Sequence, residues 1–388
     1  MNDCVSPRNL AIVGGGLTGF TAAIALGKAG HKVTLFAQST DFPDPRTTAI
    51  LASTAKFFEE LGLWQQLQPI CHPLRTMRIV DGTKRLIRSP QVDFHASEIE
   101  LEAFGYNFRN SQLMEMLTAE LANLSSVELV NGIAEISSNR DQETELVSGD
   151  IRLKPDVIVG ADGRNSPTRE AFEIMTRDWN YDQSALVVDF EHTLPTNSTS
   201  TEFHTEFGPF TIVPQTQTRA GLVWMSRPAE IEMLIEKTSD ELALLIEQKM
   251  QSFLGKIRLV SEPKSFPISG MVAQQFGKGN AVLVGESAHV FPPIGAQGFN
   301  LGVRDIQTLI DLLQNQTSSA DIGQHYHQSR SSDVQSRTQG VDMLNRTLLS
   351  DFLPVQLLRG IGLYSLDKIK PLRVFAMQQG IAPEITKV

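Results

Sequence analysis

The stretch that decides the fold is "GESAHVFPPIGAQGFNLGVRD", residues 285–305. A short apolar run, "AVLV" (281–284), leads directly into it and is typical of a buried strand. After it, apolar side chains recur at the spacing of one helix face: Ile306, Leu309, Ile310 and Leu313. The pattern therefore predicts a strand, then a loop rich in glycine and proline, then a helix that begins near Asn300.

The loop has the composition of a binding site for a flat, polar ligand. Glu286 follows the predicted strand, where its carboxylate can accept a hydrogen bond from a sugar-alcohol hydroxyl. Gly295 and Gly298 allow a ring to lie against bare backbone, and Pro293, with the proline before it, fixes the shape of the loop. The N-terminus of the following helix favours negative charge. We expect a ring system that becomes anionic on reduction to bind here.

A second glycine-rich turn lies near the N-terminus, in "NLAIVGGGLTGFTAAIALGKAG" (9–30). Gly14, Gly16 and Gly19 form a GxGxxG pattern between an apolar strand and a helix. In this pattern the glycines permit a tight turn, let a pyrophosphate approach the backbone, and let helix and strand pack closely. The alternative interpretation is a glycine-rich turn that binds no ligand.

The residue that usually accompanies this pattern is a carboxylate about 20 residues later, which binds the ribose hydroxyls. Ala37 occupies that position here, and Gln38, Ser39 or Asp41 are the neighbouring residues that could replace the hydrogen bond. Loss of one charged hydrogen-bond partner costs about 1.5–3 kcal/mol. The sequence therefore predicts weakened dinucleotide binding at this turn.

A third candidate is "GADGRNSPTR" (160–169), which follows the apolar run "DVIV". Asp162 at the end of such a strand can accept hydrogen bonds from ligand hydroxyls, and Gly163 allows close approach. A solvent-facing Asp-Gly turn is an equally good interpretation of these residues alone.

Bulk composition narrows the class of protein. The 388 residues carry a formal net charge of -10 and contain no run of Lys and Arg, which argues against a nucleic-acid partner. The two cysteines have no metal-ligand spacing, which favours a reducing compartment. The N-terminus lacks the pattern of a signal peptide, and no uninterrupted apolar stretch reaches the roughly 18 residues of a membrane span. We expect a cytoplasmic protein.

The three motifs are scattered along the chain, and residues 183–226 between them alternate apolar and polar positions, as antiparallel strands do. We therefore predict an α/β fold in which a Rossmann-like domain is interleaved with an antiparallel-sheet domain. The predicted ranges are 1–75, 105–180 and 270–330 for the first domain, 76–104 and 181–269 for the second, and 331–388 for a C-terminal helical segment.

In this order and at these separations, the three motifs resemble the FAD-binding motifs of class A flavoprotein aromatic monooxygenases. Within that family the chain is most similar to the ubiquinone-biosynthesis hydroxylases. The similarity extends to "DPRTTAILASTAKFFEELGLW" (44–64), "FRNSQLMEML" (108–117), "GPFTIVPQ" (208–215) and the segment 357–380. It implies a fold like that of p-hydroxybenzoate hydroxylase and FAD as the cofactor.

The resemblance also implies which residues bind the cofactor. Gly14, Gly16 and Gly19 would hold the pyrophosphate, Glu286 the ribitol chain, and the residues around Gly298 the isoalloxazine ring. The full set of implied cofactor-binding residues is Gly14, Gly16, Leu17, Thr18, Gly19, Arg46, Arg109, Asp162, Gly285, Glu286, Pro293, Gly295, Gln297, Gly298, Phe299 and Asn300. Surface charge is the alternative interpretation of Arg46 and Arg109. We predict no catalytic side chain and no metal, and expect His289 to be a structural hydrogen-bonding residue.

The implied reaction is hydroxylation of the aromatic ring of a polyprenylated phenol in ubiquinone biosynthesis, through a flavin hydroperoxide formed with O2. No second GxGxxG is present, so the reductant would be NAD(P)H bound transiently or a redox partner. Two alternatives stay open: a class A hydroxylase of a soluble aromatic compound, and a non-catalytic accessory flavoprotein of a biosynthetic complex. Other ubiquinone-biosynthesis proteins are further candidate partners.

The C-terminal residues 341–380 have two interpretations. Their apolar residues are interrupted by Arg359, Lys368, Lys370 and Arg373, which is typical of a segment that lies on the inner membrane or on a partner protein. A helical hairpin that packs on the FAD-binding domain explains the same pattern equally well.

Overall fold

The computed structural model describes residues 6–38, 44, 46–83, 88–138, 144–349 and 353–381. The chain divides into two compact units, and each unit is assembled from three separate stretches of sequence. The first unit contains residues 1–44, 110–180 and 269–340, and the second contains residues 45–109, 181–268 and 341–388. The interleaving expected from the scattered motifs is therefore present, while the predicted domain boundaries stay a prediction.

The described residues form strands and helices, with helices alone from Gln297 onward. The strands are β1 (Asn9–Val13), β2 (Lys32–Ala37), β3 (Thr47–Leu51), β4 (Cys71–Leu74), β5 (Thr76–Asp81), β6 (Val92–His95), β7 (Gly105–Arg109), β8 (Val127–Asn131), β9 (Glu135–Ser138), β10 (Thr144–Ser148), β11 (Ile151–Leu153), β12 (Val157–Gly160), β13 (Thr176–His192), β14 (Thr199–Thr205), β15 (Gly208–Pro214), β16 (Arg219–Ser226), β17 (Ile257–Leu259), β18 (Lys264–Ala273), β19 (Gly277–Lys278), β20 (Ala281–Leu283) and β21 (His289–Val290). The helices are α1 (Leu17–Lys28), α2 (Ala52–Glu60), α3 (Trp64–Leu67), α4 (Asn110–Ala122), α5 (Pro167–Ala171), α6 (Pro228–Ile235), α7 (Ser239–Lys249), α8 (Gln297–Gln314), α9 (Ile322–Leu349), α10 (Leu353–Lys368) and α11 (Lys370–Ile381).

The first unit contains a mostly parallel sheet with strand order β19-β20-β12-β1-β2-β8. Its central strands are continuous apolar runs because both faces are covered, as expected for parallel sheets. β1, β12 and β20 run parallel to one another, with Ile12 opposite Val159 and Val159 opposite Val282. Helix α1 packs on this sheet and against α4 and α8. The predicted Rossmann-like arrangement is confirmed.

The second unit contains most of a large sheet, in which β13, β16, β15, β14, β5 and β6 lie side by side. Only the β14–β5 pair is parallel among the pairings β13–β16, β16–β15, β15–β14, β14–β5 and β5–β6. Alternate residues such as Phe203, Phe210 and Trp224 point into a core that helices α6 and α7 complete. The predicted antiparallel-sheet domain is confirmed, and the alternation arises because only one face of the sheet is packed.

Two helices differ from the sequence expectations. The sequence of residues 229–254 predicts helix, and the structure divides this range into two helices, α6 and α7, because Thr238 forms a capping box with Glu241 and begins a new helix there. Helix α8 begins at Gln297, three residues before the expected start near Asn300.

The C-terminal part of the second unit is helical, as predicted. Met377 of α11 packs in a small core with Ala96 and Phe104, and Arg373 forms two hydrogen bonds to the Glu98 carboxylate at 2.9 and 2.7 Å. Within the residues that the structure describes, every helix is too short or too polar to cross a bilayer.

Candidate functional site

The three glycine-containing motifs meet at one edge of the parallel sheet. β1, β12 and β20 are neighbours and run in the same direction, so the turns that follow them lie side by side. Ligands of open α/β sheets bind at this carboxyl edge. The structure therefore brings together the first-unit residues that the sequence indicated in three separate segments.

The first turn is closed on one side and open on the other. Gly14 has φ +131, and a Cβ atom there would lie 2.1 Å from the Ala161 carbonyl oxygen, so only glycine fits. Gly19 is equally confined, against the Gly14 carbonyl. A Cβ atom at Gly16, by contrast, would meet no atom within 4 Å. The open side of the turn therefore lies at Gly16, where a phosphate would approach.

Helix α1 begins at this open side. Gly16 is its N-cap residue and no side chain caps the helix, so Leu17 and Thr18 form a first turn whose N–H groups face the space at Gly16. An uncapped helix N-terminus carries partial positive charge and favours a phosphate.

Ala37 ends β2 beside this turn. Its methyl group lies against Gly15, because a Cβ atom at Gly15 would come within 3.0 Å of it. Gln38 is exposed, while Ser39 and Asp41 lie outside the described residues. The carboxylate that usually follows this turn is thus replaced by a methyl group at position 37, and the weakened dinucleotide binding stays a prediction.

The two carboxylate oxygens of Asp162 have different surroundings. Its Oδ2 accepts a hydrogen bond from the Thr168 N–H at 2.8 Å, which shapes the loop before α5. Its Oδ1 is buried, and no described residue hydrogen-bonds it. A buried carboxylate oxygen without a partner is costly, which supports a ligand hydroxyl as the missing donor.

The third turn touches the first. Gly285 has φ +63, and a Cβ atom there would lie 3.0 Å from Thr18 Oγ1. Glu286 follows it and is exposed, whereas Gly285 and Ser287 are buried. An exposed carboxylate on the residue after Gly285 is the arrangement expected of a group that binds a ligand hydroxyl.

The loop that leads to α8 has an open surface. Pro293, Gly295 and Gly298 are exposed, and a Cβ atom at Gly298 would meet no atom within 4 Å. Ala296 is the N-cap residue of α8 in the left-handed region, with φ +55, and no side chain caps the helix. The remaining residues begin the helix: Gln297 donates from Nε2 to the Gly295 carbonyl at 3.1 Å, Phe299 is half-buried, and Asn300 donates to the Ala296 carbonyl at 2.6 Å.

Arg46 and Arg109 belong to the second unit. Arg46 is exposed, and its guanidinium lies 5.9 Å from the centre of the Phe266 ring. Arg109 ends β7 and is paired with Thr47 of β3. Their assignment as cofactor-binding residues stays a prediction.

Several residues that support the turns escaped sequence reasoning. Asp305 of α8 is buried and accepts the Gly285 N–H at 2.9 Å, and Ser287 donates to the Gly160 carbonyl. His289 is buried and its Nε2 lies 2.7 Å from Asp305 Oδ2, so it is the structural hydrogen-bonding residue that we predicted. The sequence could have indicated Asp305 as an acidic residue two turns into α8, next to the apolar residue Ile306.

The residues present fit FAD. The open glycine turn with its uncapped helix suits a diphosphate, the exposed Glu286 suits the ribitol hydroxyls, and the bare backbone around Gly298 suits a flat ring. The assignment of single residues to parts of FAD stays a prediction.

Comparison with protein families and curated proteins identifies relatives along nearly the whole chain. The sequence model of a family described as "FAD binding domain" matches residues 8–340. The 3-demethoxyubiquinol 3-hydroxylase of Escherichia coli is 30% identical, with 97% of this chain and 98% of that protein covered. The ubiquinone hydroxylase UbiL of Rhodospirillum rubrum is 28% identical, with 96% and 89% covered.

Solved structures of monooxygenases share the fold. PqsL of Pseudomonas aeruginosa, solved with 2-aminobenzoylacetate, matches with a TM-score of 0.77 at 20% identity, covering 93% of this chain and all of that one. The p-nitrophenol 4-monooxygenase PnpA of Pseudomonas putida matches with a TM-score of 0.77 at 17% identity, covering 96% and 97%. The predicted fold class is thus confirmed.

Proposed function

We propose that this chain, which belongs to the FAD-binding monooxygenase family, hydroxylates the aromatic ring of a polyprenylated phenol in ubiquinone biosynthesis. The predicted family, the predicted enzyme class (an FAD-dependent aromatic monooxygenase) and the predicted cofactor are confirmed by the matches. The identity of the substrate and the partners is our inference.

One observation carries the choice of substrate. Relatives named as a 3-demethoxyubiquinol 3-hydroxylase and a ubiquinone hydroxylase are 30% and 28% identical over 97% and 96% of this chain, so the similarity includes the second unit. Similarity across the second unit favours a related substrate.

The first unit would hold FAD through the open turn at Gly16, the Glu286 carboxylate and the backbone around Gly298. When it is bound and reduced, FAD supplies the activation of O2 that ring hydroxylation needs. One oxygen atom enters the ring and the other leaves as water, with the electrons coming from NAD(P)H or a redox partner. The protein's part is to orient the ring and exclude water.

The second unit offers a surface for an aromatic ring. On the sheet face opposite the packed core, five directly paired residues form a row across the strands β5, β14, β15, β16 and β13. All five are half-buried: Ile79, Glu202, Thr211, Val223 and Val187. Valine and isoleucine side chains suit the apolar faces of a ring, while the row contains a single carboxylate.

Glu202 is the candidate hydrogen-bond acceptor for the phenol hydroxyl. Its Oε1 lies 2.9 Å from Nε2 of the buried His204, and its Oε2 accepts a hydrogen bond from Thr211 at 3.3 Å. These two contacts fix the carboxylate in the row, between Ile79 and Thr211. It would hold the phenol hydroxyl and so set which ring carbon is presented.

The test is a turnover assay with FAD-loaded protein, a chemical or enzymatic flavin reductant and O2. The substrates are a demethoxyubiquinol analogue with a short isoprenoid tail and the same ring without the tail. We expect the tailed phenol to gain one oxygen atom, detected by mass spectrometry with isotopically labelled O2. Glu202→Gln should lower that turnover and leave FAD binding unchanged.

Other outcomes of this assay separate the alternatives. Turnover of the tail-free ring alone would favour a hydroxylase of soluble aromatic compounds. Flavin that is reduced and reoxidised without product from either phenol would contradict the proposed substrate.

We also propose that the C-terminal helices contact an anionic bilayer, where such a substrate resides. Four large apolar side chains of α10 and α11, and that of Ile369 between the two helices, are exposed to solvent in a region that also carries Lys368 and Lys370. The four on the helices are Ile361, Tyr364, Leu372 and Phe375. Apolar side chains next to lysines suit a surface of acidic headgroups.

Vesicle sedimentation tests the membrane contact. We expect the protein to pellet with vesicles that contain phosphatidylglycerol, and Phe375→Asp to reduce this binding. Met233→Asp is the matched control, because Met233 of α6 is 61% exposed and Phe375 is 58% exposed. Equal loss in both variants, or no binding by the unaltered protein, would contradict the proposal and favour a protein partner for this surface.

A further inference from the structure

We propose that Arg337 of α9 is a positioning residue for the flavin, because it holds the Gln297 side chain and links it through a chain of ion pairs to the Gly285 turn. All the residues concerned lie in the first unit. The inference rests on FAD as the cofactor and is independent of the substrate proposed above.

The chain of contacts begins at Asp305. Its Oδ2 accepts the Gly285 N–H at 2.9 Å and lies 2.7 Å from His289 Nε2, and its Oδ1 accepts a hydrogen bond from Arg330 Nε at 2.7 Å. The side chains of Asp305 and Arg330 are only 2% and 4% exposed. Because a buried charge that loses its partner is strongly destabilising, this pair fixes α9 to the turn that contains Glu286.

Asp333, one turn further along α9, joins three arginines. Arg330 Nη1 lies 2.8 Å and Arg304 Nε 3.1 Å from its Oδ2, and Arg337 Nε lies 3.0 Å from its Oδ1. Burial alone would raise the pKa of Asp333, but the three guanidinium groups reverse this and lower it. The carboxylate is therefore charged at neutral pH and holds Arg337 in one orientation.

Gln297 is where the chain of contacts ends. Arg337 donates from Nη1 to Gln297 Oε1 at 3.0 Å, while Gln297 Nε2 donates to the Gly295 carbonyl at 3.1 Å. Both ends of the carboxamide are thus engaged within the protein, which fixes the backbone of the exposed Gly295 turn. Arg337 acts through this side chain, on the surface assigned to the isoalloxazine ring.

A second ion pair on the same helix shows what is special about Arg337. Arg346 and Asp342 have the same four-residue spacing, with Arg346 Nε 2.8 Å from Asp342 Oδ2. The Arg346 side chain is 68% exposed, whereas that of Arg337 is 16% exposed. The Arg346 pair has the geometry of the Arg337 pair without its connection to the FAD-binding motifs.

A double-mutant cycle on FAD binding tests the inference. The full-length apoprotein is titrated with FAD, and the dissociation constant is measured from the quenching of flavin fluorescence for Arg337→Met, Gln297→Ala and the double variant. We expect each single variant to weaken FAD binding about tenfold. The double variant should bind no more weakly than either single variant, because both changes remove the same interaction.

Arg346→Met is the control and should change the dissociation constant by less than about twofold, as expected for an exposed pair. Thermal unfolding of each apoprotein checks that the variants fold. If Arg337→Met does not fold, Arg337→Lys keeps the charge beside Asp333 but cannot reach both acceptors, and it should weaken binding in the same way.

Two results would overturn the inference. One is unchanged FAD affinity in the folded Arg337 variants. The other is additive losses in the cycle, which would mean that Arg337 does not act through Gln297. Because the readout is FAD affinity, a failure of the proposed hydroxylation would leave the result of this cycle intact.

Discussion

The two units of the molecule present ligands with surfaces of different kinds. In the first unit the candidate site lies in turns at the ends of parallel strands, where glycines bring backbone close to the ligand. In the second unit the candidate surface is one face of a sheet, built from single residues of five strands. A site made of turns is visible in sequence as contiguous motifs. A site made from a sheet face is visible only as alternation.

The largest effect on stability is expected when substitutions on the two faces of the second-unit sheet are compared. Trp224 is buried in the core, with its ring centre 5.3 Å from that of Phe210, while the neighbouring Val223 is half-buried on the opposite face. Trp224→Ala should cost about 3–5 kcal/mol of unfolding free energy, whereas Val223→Ala should cost less than about 1 kcal/mol. Urea unfolding measures both, and a similar cost for the two variants would show that the faces are equally packed.

The next largest effect is expected when two glycines of one turn in the first unit are each replaced by alanine. Gly14→Ala places a methyl group against the Ala161 carbonyl at a positive φ, and should cost about 2–4 kcal/mol of unfolding free energy. Gly16→Ala has room and an ordinary φ of -84, so the apoprotein should keep its stability and lose FAD affinity. Thermal unfolding and FAD titration measure the two effects. Unchanged FAD affinity in Gly16→Ala would contradict the phosphate assignment.

A smaller effect should depend on pH. Burial tends to raise the pKa of Glu98, but hydrogen bonds from Arg373 outweigh it and lower the pKa. The stability from this pair is present above pH 4.5, the ordinary pKa of a glutamate, and is lost as the pH falls through the lowered value. Glu98→Gln should cost about 1–2 kcal/mol at neutral pH. Unfolding free energies measured down to about pH 3 should converge for the two proteins, and a constant difference would exclude the ion pair as the cause.

The smallest effect is expected at Cys71. Burial raises the pKa of its thiol to about 11, so only about one molecule in a thousand carries the reactive thiolate at pH 8. Cys71→Ser should leave FAD content and unfolding unchanged. In a Cys4→Ser background, alkylation by iodoacetamide should be slow and should accelerate about tenfold per pH unit up to that pKa. Rapid alkylation at pH 8 would show that the thiol is more accessible than its position in β4 indicates.

Sequence reasoning succeeded where the information is local. The run "NLAIV" predicted the bounds of β1, Asn9–Val13, because an apolar run of that length before a glycine turn is typical of a buried strand. The three FAD motifs were recognised for the same reason. The split between α6 and α7 was missed although the capping signal at Thr238 was local.

Sequence reasoning failed where partners are distant. The pairing of Asp305 with Arg330 and of Gln297 with Arg337 joins residues 25 and 40 positions apart, and no spacing rule predicts which charge meets which. The row of five half-buried residues that contains Glu202 was missed, because alternation does not reveal which face of a sheet the helices cover. Those contacts depend on the tertiary fold.

The interleaving of the two units has a consequence for the synthesis of the chain. β1 and the Gly14 turn leave the ribosome early, but the strand β20 that completes the parallel core beyond β12 begins 268 residues after Val13, at Ala281. At elongation rates of roughly 5–20 residues per second this is a delay of about 13–54 s. Arg337 follows Gln297 by another 40 residues. The nascent chain therefore has to keep the apolar strand β1 from aggregating until β20 and the Arg337 segment of α9 have been translated, and FAD can enter a finished site only then.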